Sequence, residues 1–391
     1  MPGCPITLLS RTAEDSPTDR GILLLAANQA WNIVNFRLGL IGALRRDGYR
    51  IVVCAPPDEQ NSAHLERNGC EFIPLEIDSK GLSLFNDIRT FFAFLKIMRK
   101  IRPTAFLGWT IKPNIYGGLA ARIASVPAVL NISGLGTAFI RDSAITQLVT
   151  ILYRIGLAKA HTVFFQNKPD RDLFVARRMV REDQVALLPG SGIDLDRFTP
   201  APVAARETGH FVMIARVLGD KGVREYVEAA RLLKDRGFDL RLSLMGFVDV
   251  ANRTAIDRTE LDSWVSEGLI EYHPPVEDVR PMIAKAHAVV LPSYREGTSR
   301  VLLEAAAMGR PIIAADVPGC REIVDDGVTG FLCAPRDGRA LADAIQRCVE
   351  LPPQRWSDMA TAGRAKVARE FSEERVFAIY RNVLNGITAR K

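Results

Sequence analysis

Short apolar runs, separated by stretches of helical periodicity, recur along the whole chain. In the first half, continuous β-prone runs fall at 21–27, 50–55, 72–77, 104–109, 128–132, 162–166 and 185–188. Helical patterns occupy the gaps near 35–47, 60–69, 85–101, 113–124, 144–159 and 169–179. Runs that are apolar at every position, not every second one, belong to strands covered on both faces, which means a parallel sheet between helical layers. The second half repeats the scheme, with strands at 210–215, 240–245, 269–272, 288–291, 311–314 and 330–333 and helices near 222–236, 300–308 and 338–350. Between the halves, 196–209 contains Pro200 and Pro202 and few apolar anchors, so it reads as a linker. The expected organisation is a flexible arm at 1–19, a first α/β domain at 20–195, the linker, a second α/β domain at 210–352, and helices at 353–391 that pack back towards the first domain. Two doubly wound sheets then face each other across a cleft, and ligands bind such sheets beyond the carboxyl ends of the strands.

A length of 391 residues suits two domains, and 48% hydrophobic with 25% charged residues is an ordinary globular balance. The net charge of +6 changes the picture more, because it is unevenly placed. Residues 1–200 carry 24 Lys/Arg against 18 Asp/Glu, and the remainder carries 27 of each. Such an asymmetry points to an anionic partner for the first half, a membrane surface or phosphorylated lipid before nucleic acid, with a chance excess as the plain alternative. None of the six cysteines forms a C-x-x-C or pairs with histidine at zinc spacing, so buried thiols in a reducing compartment are expected. The first twenty residues are polar and contain three prolines, unlike a secretory signal. No run of 18 uncharged apolar residues occurs, and no membrane-spanning helix is expected. The segment 86–102 is apolar on one side and carries Arg89, Lys96, Arg99, Lys100 and Arg102. It reads as a sheet-covering helix with Phe91, Leu95 and Met98 inward and its cations available to lipid headgroups.

Candidate chemistry gathers where strands of the second half end. After the run at 288–291 comes Pro292-Ser-Tyr-Arg-Glu-Gly-Thr-Ser-Arg-Val-Leu-Leu-Glu304. A helix starting at Thr298 or Ser299 and stopped by Gly309 offers free amides to a phosphate or sugar oxygen. Glu296 and Glu304 are acceptors suited to sugar and ribose hydroxyls, although each alone reads equally well as a solvated side chain. After the run at 210–215, Arg216 and Lys221 stand five apart on a strand-to-helix loop, where a guanidinium fork and an ammonium can converge on a diphosphate. Asp194-Leu-Asp196 has the D-x-D form of a metal site but lies in a turn-prone segment and reads as structural. The five histidines are scattered, and His161 reads as a core or capping residue. No G-x-G-x-x-G follows the first strand, which disfavours a dehydrogenase.

Taken together, these segments resemble the retaining GT-B glycosyltransferases of family 4 over roughly residues 20–385. The resemblance rests on Arg216 with Lys221, on the E-x7-E pair Glu296 and Glu304, on Gly190-Ser-Gly-Ile-Asp194 with Arg197-Phe198, and on Pro318-Gly-Cys-Arg-Glu322 with Gly327-Val-Thr-Gly330. It implies two Rossmann-like domains, with the donor in the second and the acceptor in the first. It further implies that Arg216 and Lys221 bind the donor diphosphate and that Glu304 holds the ribose. Glu296 would hold a donor sugar hydroxyl, aided by the amides of Gly297, Thr298, Ser299 and Arg300. On this reading Arg216, Lys221 and Glu296 are the catalytic set, with no metal and no cofactor beyond the nucleotide sugar, expected to be UDP-linked. The stretches Thr110-Ile-Lys-Pro-Asn-Ile-Tyr-Gly117 and Ser133-Gly-Leu-Gly-Thr-Ala-Phe139 are similar to enzymes that extend polyprenyl-diphosphate-linked glycans of bacterial surfaces. That similarity implies an acceptor site at Asn32, Arg37, Lys112, Gly134, Gly136 and Thr137. Some relatives carry a histidine where this chain has Ile111. The implied partners are a nucleotide sugar, a lipid-linked glycan and an anionic membrane surface rather than nucleic acid, and the implied location is the cytoplasmic face of the cell membrane. A GT-B epimerase, a phosphorylase or a non-catalytic nucleotide-sugar-binding regulator are the competing readings.

Overall fold

The computed structural model describes residues 20–78, 83–135, 144–203, 207–248 and 252–389, with the side chains of 144 and 145 excepted. The arm expected at 1–19 lies outside them. The first half runs β1 (Ile22–Ala26), α1 (Ala30–Arg46), β2 (Arg50–Ala55), α2 (Glu59–Arg67), β3 (Glu71–Pro74), α3 (Leu84–Ile101), β4 (Ala105–Trp109), α4 (Gly118–Ile123), β5 (Ala128–Ile132), α5 (Ala144–Leu157), β6 (Thr162–Phe165), α6 (Lys168–Ala176) and β7 (Val185–Leu187). The second runs β8 (His210–Ile214), α7 (Val223–Asp235), β9 (Arg241–Met245), α8 (Arg258–Ser266), β10 (Glu271–His273), α9 (Arg280–Lys285), β11 (Ala288–Leu291), α10 (Arg300–Ala307), β12 (Ile312–Ala315), β13 (Gly330–Cys333), α11 (Gly338–Val349), α12 (Pro353–Glu370) and α13 (Glu373–Thr388).

Every strand expected from the apolar runs is present, and every pairing between them is parallel. The sheets are ordered β3-β2-β1-β4-β5-β6-β7 and β10-β9-β8-β11-β12-β13. In each, the order reverses at the first strand of the domain, so β1/β4 and β8/β11 are the switch points where a crevice opens. Two helices were not foreseen. Helix α8 buries only Leu261 and Trp264 and is set by its cap, where the Asp257 carboxylate accepts the Glu260 N–H at 2.8 Å. The six-residue α9 opens with Pro281 in its first turn. The helix expected at 35–47 begins at Ala30, because the Gln29 backbone already stands extended ahead of it.

The C-terminal helices divide. Helix α12 places Met359 and Val367 in the core of the second domain, together with Phe371, the residue that follows it. Only α13 crosses, placing Val376, Phe377, Tyr380, Leu384 and Ile387 among the residues of β1, β2, β4 and α1 in the first domain. The crossing point is shared with the segment just before the linker: Ile193 N–H donates to Phe371 O at 2.8 Å and Glu373 N–H to Ile193 O at 3.1 Å. Gly192, at φ +78°, lets these strands approach, since a Cβ there would lie 2.7 Å from Glu373 Cα.

Candidate functional site

The side expected to hold the donor is built from three loops at adjoining strand ends of the second sheet. After β8 the chain turns at Arg216 and forms a single turn at Gly219–Lys221. Gly222 then opens α7 at φ +78°, with its missing Cβ facing Pro292 O at 2.2 Å. That glycine allows the loop after β8 to sit against the loop after β11, and Tyr294 N–H completes the seam by donating to Asp220 O at 3.0 Å. Across it, Lys221 Nζ forms an ion pair with Glu296 Oε1, both side chains mostly covered. Arg216 is exposed at the strand end, and its guanidinium has no partner among the described residues.

The third loop, after β12, supports the second. Glu296 N–H donates to Pro318 O and Ser299 N–H to Gly319 O, both at 3.1 Å. Gly319 is at φ +84°, and a Cβ there would lie 2.6 Å from the Glu296 carbonyl. The Pro318–Glu322 segment therefore shapes the glutamate loop from below. Ser299 stands at the cap position of α10, but its hydroxyl makes no capping bond. Since its amide is taken by Gly319, an anion at this helix start would fall to the amides of Gly297 and Thr298 in the loop and of Arg300 in the first turn. Gly309, at φ +67°, follows the end of α10 as the stop signal required.

Glu304, one turn into α10, accepts from Arg300 Nε at 3.0 Å. Burial pushes its carboxyl above the ordinary glutamate value, and the Arg300 guanidinium partly opposes that. The same guanidinium reaches out of its domain, donating from Nη1 to Ser191 Oγ at 3.2 Å and lying 5.6 Å over the Phe36 ring of α1. Arg300 thus contributes its side chain to a contact between the halves, a role the sequence reading did not include.

The side expected to hold the acceptor is arranged differently. Asn32 lies half-buried in the first turn of α1. Arg37 is 4% exposed, its guanidinium 5.1 Å over the Trp109 ring, with Nε unpartnered among the described residues. Burial lowers its pKa to about 10. Lys112 is anchored: its Nζ donates to Asp87 Oδ1 of α3 at 2.6 Å, and Tyr116 OH donates to Asp87 Oδ2 at 2.8 Å. Between β4 and α4 the helix widens into one π turn, Pro113–Gly117, a form enriched where local geometry serves a site. Gly134 is at φ +140°, its missing Cβ 3.6 Å from Gly297 N of the other half. Gly136 and Thr137 lie outside the described residues. Asp194, from the D-x-D segment, accepts the Asp196 and Arg197 amides at 3.0 and 2.9 Å as a turn-forming carboxylate.

One group of residues was not foreseen. The loop after β6 meets the glutamate loop directly: Asn167 Nδ2 donates to Gly297 O at 3.1 Å, and Thr298 Oγ1 to Gln166 O at 3.5 Å. Arg295 forms an ion pair with Asp170, whose side chain is 1% exposed. The one available signal was Asn167-x-x-Asp170, a helix cap at a strand end, where Asn167 Oδ1 accepts the Asp170 N–H at 2.9 Å.

Comparison with known proteins adds the following. Residues 22–167 match the family described as glycosyl transferase 4-like, and residues 208–350 match glycosyl transferases group 1. The chain is 26% identical over 336 residues to the N,N'-diacetylbacillosaminyl-diphospho-undecaprenol alpha-1,3-N-acetylgalactosaminyltransferase of Campylobacter jejuni, covering 82% of this chain and 87% of that one. It is 22% identical to the capsular polysaccharide biosynthesis glycosyltransferase CapM of Staphylococcus aureus, covering 80% and 84%. Among solved structures, Anabaena Alr3699/HepE in complex with UDP-glucose superposes with a TM-score of 0.77 at 18% identity, covering 94% of this chain and all of that one. Sucrose-phosphate synthase from Thermosynechococcus elongatus superposes with a TM-score of 0.77 at 19% identity, covering 95% and 100%.

Proposed function

The chain belongs to the GT-B glycosyltransferases, with a 4-like first domain and a group 1 second domain, and on that premise we propose a retaining, metal-independent transfer of a hexose or N-acetylhexosamine from UDP to a hydroxyl of a polyprenyl-diphosphate-linked glycan. The observation that carries this reading is the meeting of Lys221 with Glu296, beside Arg216, at the switch point of the second sheet. The diphosphate lies between Arg216 and Lys221, which neutralise the charge that develops as UDP departs, while the Gly297 and Thr298 amides take up oxygens of the donor sugar. Fixed cations and amides supply the electrostatic stabilisation for which other transferases use a divalent ion. Glu304 accepts from the ribose hydroxyls and Glu296 from a sugar hydroxyl, and the acceptor attacks on the face that UDP leaves. Glu296 is not a nucleophile in this scheme.

On the first domain, Arg37 and Lys112 are the anion contacts for a diphosphate-linked acceptor. An ammonium has three donors, so Lys112 can bind phosphate while staying anchored on Asp87. Asn32 and Gly134 line the same side. The relatives' activity on an undecaprenol-linked sugar and in capsule synthesis supports this substrate class.

No helix among the described residues is long and apolar enough to cross a membrane. The outer face of the first domain nonetheless suits a bilayer surface. Helix α3 turns Phe94, Leu95 and Met98 inward and leaves Leu84, Phe85, Ile88 and Phe92 exposed beside Arg89, Lys96, Arg99 and Lys100. Leu148, Ile151 and Ile155 of α5 are exposed on the same face of the sheet. Apolar side chains ringed by cations are the composition of an interfacial helix, and this supports a peripheral position of the enzyme on the anionic cytoplasmic leaflet, where a lipid-linked acceptor would be held.

Thermal stabilisation by a nucleotide and nucleotide-sugar panel without added metal tests the donor reading. Ligand at 100-fold excess over Kd stabilises by about 2.7 kcal/mol. A shift with UDP, a larger one with one UDP-sugar, and loss of both in Lys221→Ala and Glu304→Ala is the expected outcome. No shift with any nucleotide would overturn it.

A further inference from the structure

Glu296 follows directly on Arg295, and Arg295 is bound to the other half of the molecule. Its guanidinium pairs with Asp170, a carboxylate with 1% of its side chain exposed at the third position of α6. A carboxylate at that position could serve the α6 helix start alone, but such a role leaves it in water, and this one is enclosed. Desolvation raises the Asp170 pKa while Arg295 and Asn167 pull it back down, so the enclosed charge depends on a partner 125 residues away. Asn167, 2% exposed, does two things at once: it caps α6 and holds the Gly297 carbonyl at 3.1 Å. Gly297 is pressed so close that a Cβ would lie 2.1 Å from Ser133 O and 2.5 Å from Gln166 Oε1. Gly190, on the first half, meets Thr298 in the same way, with a Cβ 2.9 Å from the Thr298 Cβ. The loop carrying Glu296 is therefore seated on the strand ends of the acceptor domain, not only on its own.

We propose that Arg295, Asp170 and Asn167 form a clasp of positioning residues that sets the Glu296–Thr298 loop from the acceptor domain, coupling the donor-sugar geometry to closure of the cleft. This rests on the donor reading above in one respect: Glu296 and the Gly297 and Thr298 amides face the donor. The consequence is a division of labour. Nucleotide contacts at Arg216, Lys221 and Glu304 come from the second domain alone, so UDP binds whether or not the clasp is made. Sugar transfer requires the clasp, because a reacting group displaced by about 1 Å can cost 10²-fold in rate.

The test compares Arg295→Gln, Arg295→Lys and Asp170→Asn with the unaltered chain. UDP affinity is measured by calorimetry. Turnover is measured as UDP release from UDP-glucose and UDP-N-acetylgalactosamine, with and without a synthetic polyprenyl-diphosphate-linked sugar. Amide hydrogen exchange is read at 296–300. Arg295→Gln and Asp170→Asn should lose about 10- to 100-fold in kcat, keep UDP affinity within about threefold, and exchange faster at 296–300. Arg295→Lys, which keeps the charge, should recover most of the turnover. Turnover within about threefold of the unaltered chain in the Gln and Asn variants overturns the clasp, and so does a UDP affinity that falls in step with kcat. If the unaltered chain releases no UDP from either donor, the donor reading fails, and the exchange measurement still decides the clasp: unchanged protection at 296–300 overturns it.

Discussion

The two halves share the order of their first six strands, and they place their charge in opposite ways. In the second domain, Arg216, Lys221 and Glu296 stand at strand ends in loops knitted together by Gly222 and Gly319, and Glu304 follows one turn into α10. In the first, the equivalent region buries its charge, with Arg37 stacked on Trp109 and Lys112 held by Asp87, while the exposed cations move to the back, along α3 beside Leu84, Phe85, Ile88 and Phe92. One scaffold thus yields a polar crevice, proposed for the donor, on one side and an apolar, cation-rimmed outer face on the other. The lesson is that a doubly wound sheet prescribes where a ligand sits, and the loops and outer helices decide which ligand.

The sharpest way to break this contrast is Lys221→Ala. It removes a cation proposed to stabilise the leaving diphosphate and should cost about 10²–10³ in turnover, roughly 2.7–4 kcal/mol of transition-state stabilisation. Near-normal kcat would make the donor crevice no more charged in function than the acceptor side. Glu304→Gln comes next. Loss of a charged hydrogen-bond partner is worth about 1.5–3 kcal/mol, so UDP should bind roughly 10- to 150-fold more weakly in calorimetry. Its pH profile sharpens the point. The Glu304 pKa is raised above the ordinary 4.5, so the carboxylate is present above that raised value and lost as pH falls through it. UDP affinity should decline on acidification in the unaltered chain, and the Gln variant should flatten that decline.

A smaller effect is expected from Gly222→Ala, which places a side chain at φ +78° against Pro292 O. Strain of about 1–3 kcal/mol should appear as a lower melting temperature, with UDP affinity falling as the two donor loops part. The smallest change tests the other half. Neutralising Arg99 or Lys100 should remove about 1 kcal/mol of attraction to anionic vesicles, roughly fivefold in partitioning, without altering UDP binding. Vesicles of anionic lipid that fail to retain the unaltered chain at low salt would leave the outer face of α3 without its proposed function.

Among the described residues, the central strands were legible because strands buried on both faces are apolar without interruption, while the partly exposed β3, β7 and β10 showed only as short β-prone runs. The residues proposed for the donor could be singled out because a loop between a strand and a helix is local: Arg216 and Lys221 are five apart, Glu296 and Glu304 eight. Helix α8 escaped because a mostly solvated helix has little periodicity to show. The burial of Arg37 escaped for a related reason, since a cation on an amphipathic helix reads as surface until a ring is found beneath it. The contacts of Asn167 with Gly297 and of Asp170 with Arg295 span 130 and 125 positions, and no pattern within either segment names the other. Likewise the helical tail was visible as helix, but its division into α12 on one core and α13 on the other is a property of packing.

That division has a consequence in time. The core of the first domain includes Val376, Phe377, Tyr380, Leu384 and Ile387 from a helix that begins about 190 residues after β7 ends. At ~5–20 residues per second, a ribosome delivers α13 roughly 10–40 s after the last strand of that sheet has been made. During that interval the nascent first domain has its sheet but lacks one of the helices that cover it, and the apolar bed around α1 is open. The half synthesised first is the half completed last.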